Sequence, residues 1–267
     1  MIGVCIPNKT RSTYNTKSNV EIVAAIRQLG ATVVRWSWPV SVDQEQHRQL
    51  ALAIDAAGIR QIYCVYNYGC VDTWASTTAP WPRPFMVENL QEPYNFMGAD
   101  RSNEFLPNGS SGWQTFANTM DTYIATKLAA RGWTGVPIGT PAVYYDTDVT
   151  GLACVNATWV PMHIYSFGND MTYPNATLAL PSTVRSSSTT ITSGQEKFHI
   201  TEFGTSTTPD GTLEAWTADA QGAATVLKAF LQGFAMPEMN LITMCCWELF
   251  DENLGHIWKH SGANPPL

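Results

Sequence analysis

The sequence predicts a single (β/α)8 TIM barrel over residues 1–267, compact, with one or more helices shortened or replaced by loops. Three observations carry this. The chain has 267 residues, close to the ~250 that one such barrel needs. Short β-rich runs alternate with helical patterns from end to end, which is the mark of a parallel α/β fold. No linker or internal repeat divides the chain. An open doubly wound sheet is the alternative, but neither G-x-G-x-x-G nor a Walker loop is present.

Eight runs read as strands: Ile2–Ile6, Thr32–Trp36, Gln61–Tyr66, Phe85–Leu90, Val136–Thr140, Val160–Ile164, Lys197–Thr201 and Leu241–Trp247. The helices fall between them. Ser18 is placed to N-cap Asn19–Leu29, which buries Val20, Val23, Ala24 and Ile26 and closes at Gly30. Asp43–Ala57 closes at Gly58, Trp113–Arg131 closes at Gly132, and Ala218–Phe234 repeats the pattern. Two connections read as irregular, the Thr-, Pro- and Trp-rich Gly69–Pro84 and the Ser/Thr-rich Ser166–Glu196.

Composition excludes several classes of function. Hydrophobic residues make up 45% of the chain, enough for a sizeable core. Charged residues are only 14%, against about 25% in an average soluble domain. Ser, Thr, Asn, Gly and 10 Trp stand in their place, a surface suited to neutral, hydroxyl-rich ligands. The net charge is −7 with no basic cluster, so nucleic acid is not the expected partner. No apolar run reaches the ~18 residues of a membrane span. Low charge and abundant Thr, Ser and Trp point to work outside the cytoplasm, although no signal peptide is visible. Of the 6 cysteines, Cys5, Cys64, Cys245 and Cys246 sit in apolar runs, while Cys70 and Cys154 lie where they can pair or stay free. Neither C-x-x-C, H-x-H nor H-E-x-x-H occurs, so no metal or other cofactor is expected.

A barrel of this kind carries its chemistry where strands end, on the C-terminal face. The fourth strand runs into Glu88-Asn89-Leu90-Gln91-Glu92-Pro93, and the seventh into Thr201-Glu202-Phe203-Gly204. Strands four and seven face one another across the mouth, so Glu92 and Glu202 can flank one bond of a ligand. Glycoside hydrolysis needs that pair: one carboxyl protonates the leaving oxygen while the other attacks or activates water.

Here the sequence resembles the clan A glycoside hydrolases, the retaining barrels that include cellulases, β-xylosidases and β-galactosidases. Their fourth strand typically ends in Asn-Glu-Pro, often with a Glu three residues before the Asn, and their seventh in Thr-Glu-aromatic-Gly. The resemblance implies that Glu92 is the general acid/base and Glu202 the nucleophile. Arg35 matches the clan's second-strand Arg, His163-Ile164-Tyr165 its sixth-strand His-x-Tyr, and Trp247 the aromatic that floors the sugar site. Asp251 to Gly255 resembles the turn that follows. Gln91 stands where the clan has Asn, carrying the same amide one methylene further out.

Physical reading adds that an ionised Glu202 needs donors such as Arg35 and Tyr165. Repulsion from Glu202 would raise Glu92 until the glycosyl-enzyme forms. Glu88 has the parity of Glu92 and is expected to be a structural carboxylate paired inside the barrel. Trp36 and Tyr66 are expected to meet substrate, and Tyr66, Tyr68, Trp74 and Trp81 to line a cleft around the Pro-rich loop. His199 is expected to be structural. The expected activity is therefore a retaining glycosidase acting on a poly- or oligosaccharide. The alternatives are a carbohydrate-binding barrel with little or no turnover, which Gln91 favours, and a metal-dependent barrel hydrolase.

Overall fold

A computed structural model describes residues 1–6, 16–36, 44–90, 113–142, 153–166, 197–205 and 242–246, with 113, 164–166, 197–198, 202–205 and 246 described by backbone alone. Its strands are β1 (Ile2–Ile6), β2 (Val33–Trp36), β3 (Arg60–Val65), β4 (Met86–Asn89), β5 (Ile138–Gly139), β6 (Ala157–Ser166), β7 (Lys197–Thr205) and β8 (Thr243–Cys246). They pair in chain order and close into a barrel. Every pairing is parallel, and β1 meets β8 through Ile2 against Met244. The described helices are α1 (Asn19–Gln28), α2 (Gln44–Ala56), α3 (Tyr68–Trp74) and α4 (Trp113–Ala130).

The strands are buried on both faces, which is why they read as nearly unbroken apolar runs. Alternate residues face inward, and Cys5, Val33, Ile62, Met86, Trp159 and Cys245 form one buried cluster there. The other parity packs outward against the helices. Val34, Trp36, Tyr63, Val65 and Val87 meet Ile22 and Ile26 of α1, Leu50 and Ile54 of α2, Trp74 of α3, and Met120 and Ile124 of α4. The interior is narrow enough to demand Gly at position 3. A Cβ there would lie 2.5 Å from Val33 Cγ1 and 2.6 Å from Cys245 Sγ.

Helix α1 starts in a capping box, with Glu21 N–H donating to Ser18 Oγ (3.2 Å) and Ser18 N–H to Glu21 Oε2 (2.7 Å). Its buried stripe is Ile22 and Ile26; Val20 and Ala24, expected inside, are exposed. Gly30 closes it at φ +67°.

The Gly69–Pro84 connection differs from expectation. It opens with the seven-residue helix α3, N-capped by Asn67, whose Oδ1 accepts from Cys70 N–H at 3.0 Å. Trp74 and Trp81 are buried around Tyr63, so they build the outer core, not a cleft. Strand β5 is shorter than expected, bounded by Pro137 and Pro141, which have no N–H to give a ladder. Strand β6 starts earlier, at Ala157. The Ala218–Phe234 helix lies outside the described residues.

Cys70 and Cys154 are both buried free thiols. No described helix is long and apolar enough to cross a membrane.

Candidate active site

The inward positions near the C-terminal ends of β2, β4 and β6 carry Arg35, Glu88 and His163. All three are buried. Arg35 Nε donates to Glu88 Oε2 at 3.1 Å, and Arg35 Nη2 donates to Glu88 Oε1. Nη2 also lies 3.3 Å from His163 Nε2, which is 3.8 Å from Glu88 Oε1. The planar guanidinium matches the two carboxylate oxygens at once, which makes the pair tolerable without water. Burial alone would push the Glu88 carboxyl up. The Arg35 charge and the hydrogen bonds from Arg35, with His163 close by, more than offset it and hold the group well below the usual carboxylate range. Glu88 is thus a carboxylate paired inside the barrel, as its parity suggested.

Trp36 must be corrected. Strand alternation turns it away from Arg35. It lies fully buried in the outer core, its indole N–H donating to Gln61 Oε1 at 2.9 Å and its ring 6.2 Å from that of His47 on α2. It is a packing residue and presents no face to a ligand. Tyr66, just past the end of β3, is half-buried against the same cluster.

On β7 the ladder is irregular. Met162 pairs with Ile200, but the next residue of β6, His163, pairs with Glu202. Thr201 is passed over, a bulge that shifts the alternation by one residue. Position 202 therefore stands beside His163 on the neighbouring strand. Tyr165 stands beside Gly204. Nothing in the sequence signals the bulge.

Below this level the interior is closed. The Trp159 and His199 rings stack at 3.9 Å between centroids, 13° from parallel. His199 Nδ1 is 2.6 Å from Thr243 Oγ1, and Cys5 Sγ donates to the Thr201 carbonyl at 3.1 Å. His199 is found in this floor.

Gln91, Glu92 and Trp247 lie outside the described residues, but the approach to Glu92 does not. β4 ends at Asn89, whose Nδ2 donates to the Ala117 carbonyl of α4 at 2.9 Å. Leu90 follows at φ +56°, the only non-glycine residue at positive φ among those described. Its carbonyl accepts from Ala142 N–H at 2.9 Å, tying the end of β4 to the exit of β5. A branched residue held there is strained, and it stands two residues before Glu92.

Sequence reading passed over Asn118 and Asp121 of α4. Asn118 Oδ1 accepts from Ala153 N–H (2.8 Å), and Asp121 Oδ2 accepts from the Asn156 backbone and side-chain N–H groups (both 2.9 Å). They fasten the chain leading into β6. Burial pushes the Asp121 carboxyl up and, together with Asp121, the Cys154 thiol up to about 12. A polar residue at the centre of α4, three from Asn118 on the same face, is the signal that could have found it. Among the described residues no group of three His, Cys, Asp or Glu is placed to hold a metal.

No protein-family model matches the chain, and no curated protein matches it. Solved structures do. A GH128 (subgroup I) endo-β-1,3-glucanase from Amycolatopsis mediterranei, in complex with laminaritriose, is 15% identical, with a TM-score of 0.54 over 99% of this chain and 94% of that one. A β-glucosidase from Exiguobacterium marinum is 12% identical, with a TM-score of 0.60 over 97% and 89%. The family 1 β-glucosidase from Thermotoga maritima is 11% identical, with a TM-score of 0.57 over the same shares, 97% and 89%. At such identities the likeness shows the fold, the (β/α)8 barrel shared with these glycoside hydrolases.

Proposed function

We propose that the chain is a retaining glycoside hydrolase acting on a poly- or oligosaccharide, with Glu92 as acid/base and Glu202 as nucleophile. The observation that carries this is the register of β7 against β6. It sets position 202 beside His163, at the level of the buried Arg35–Glu88 pair and on the barrel face where such folds do their chemistry. The nature of the similar structures, β-glucosidases and an endo-β-1,3-glucanase that binds laminaritriose, supports the same reading.

In this mechanism the Glu202 carboxylate attacks the anomeric carbon while Glu92 gives its proton to the departing glycosidic oxygen. The C–O bond to the leaving group breaks as the bond to Glu202 forms. Water then replaces Glu202 at that carbon, losing its proton to Glu92 and returning both groups to their starting states. The two carboxyls must stand ~5–5.5 Å apart for this to work. Arg35, Gln91, His163, Tyr165, Trp247 and Tyr66 are the proposed substrate-binding residues; Trp36, fully buried in the outer core, leaves that set.

The test is hydrolysis of aryl glycosides, pyranosides and furanosides alike, and of polysaccharides beginning with β-1,3-glucan, by the intact chain, Glu92→Ala and Glu202→Ala. Gln91 keeps a second reading in view, a carbohydrate-binding barrel without turnover. It predicts no hydrolysis by the intact chain and glycan binding unchanged in both variants.

A further inference from the structure

We propose that Glu88 is a positioning residue, acting through Arg35 to hold His163 as the neutral imidazole with its proton on Nδ1. A guanidinium carries only donors. Arg35 turns Nε and Nη2 to the two oxygens of Glu88, and Nη2 also lies 3.3 Å from His163 Nε2. A ring nitrogen that meets a donor must offer its lone pair, so Nε2 is bare and the proton sits on Nδ1. The opposite tautomer would have to donate from Nε2 to Glu88 Oε1. That distance is 3.8 Å, too long for a hydrogen bond, and the same oxygen already accepts from Arg35. A doubly protonated ring would set one N–H against another cation where neither side chain is exposed.

Among the described residues the charged groups around His163 are Arg35 and Glu88. Arg35 faces it from β2 and Glu88 from β4, and position 202 is its register neighbour on β7. The paired residues of β5, Ile138 and Gly139, contribute none. Glu88 holds the guanidinium through both its oxygens, which oppose rotation about the stem and keep Nη2 against Nε2. Removing the carboxylate removes that hold on the tautomer. The outcome is an N–H donor of fixed direction on the ring edge away from Arg35. Its catalytic consequence rests on the glycosidase reading above; the tautomer does not.

The experiment is a long-range 1H–15N correlation spectrum of the histidine rings in the full chain, with His163 assigned by the signals lost in His163→Gln. The expected result is a protonated Nδ1 and a bare Nε2, unchanged from about pH 5 to about pH 9. In Glu88→Gln the ring is expected to become a mixture of tautomers, while Glu88→Asp, which keeps the charge, retains the Nδ1–H form. On any glycoside the intact chain cleaves, Glu88→Gln should lower kcat by about tenfold or more with little change in KM. A proton on Nε2, titration near the ordinary histidine value of about 6.5, or a Glu88→Gln spectrum like that of the intact chain would overturn the proposal. The intact-chain spectrum decides even if Glu88→Gln does not fold. Absence of hydrolysis with the expected spectrum would count against the glycosidase reading alone.

Discussion

Arg35 and Glu88 form a two-pronged ion pair inside the barrel, across from β2 to β4, where neither side chain is exposed to solvent. Such a pair is worth little against an apolar replacement but costs a great deal to break, since the partner left behind is a buried charge that has lost its counter-ion. Arg35→Met or Glu88→Leu alone should therefore destabilise the chain by about 3–5 kcal/mol, and the double variant by clearly less than their sum. Urea unfolding of all four proteins measures this. Additive losses would mean that the pair is not coupled.

The same pair sets an acid limit on stability. The folded Glu88 pKa lies below that of the unfolded chain, so its contribution is complete above the unfolded value, about 4.3. It is lost as the pH falls from there toward the folded value. Urea midpoints should decline below about pH 4.5, and less steeply in the Arg35→Met/Glu88→Leu double variant. Equal slopes would assign the decline to other carboxyls.

Asp121 should behave in the opposite sense. Its folded pKa is raised, chiefly by burial, so ionisation costs stability as the pH climbs through that value. Asp121→Asn keeps an acceptor for Asn156 and removes the buried charge. It is expected to be neutral or stabilising by up to about 1 kcal/mol at pH 7 and to remove that pH dependence. A large loss of stability at pH 7 would show that the charge itself fastens the β6 segment.

Leu90 offers a test of strain beside the proposed acid/base. Alanine would lose the buried side chain and keep the positive φ. Glycine loses one carbon more but removes a strain of about 1–2 kcal/mol. Leu90→Gly should accordingly be more stable than Leu90→Ala by about 1 kcal/mol. The reverse order in thermal unfolding would contradict a strained Leu90.

Much of this was legible in the sequence because the barrel obeys simple periodicities. Strand parity placed Glu88 inside the barrel, and Ser18 marked the start of α1. Parity also had the means to correct Trp36, whose neighbour Arg35 takes the inward position. Trp74 and Trp81 were harder: aromatics in the outer core and aromatics on a cleft have the same composition, and only packing against Tyr63 separates them. The bulge at Thr201 was not legible, because it is a property of two paired strands and leaves no mark on one of them. The latch formed by Asn118 and Asp121 joins α4 to residues more than thirty positions on, a distance that local pattern does not bridge.

In the proposed reaction Glu202 forms the covalent bond to the sugar. The most direct measurement is the turnover of an activated aryl glycoside by Glu202→Ala, with and without azide. With Glu202 as nucleophile, the substitution abolishes hydrolysis and azide restores turnover, yielding a glycosyl azide of inverted anomeric configuration. Hydrolysis undiminished in Glu202→Ala would contradict that role.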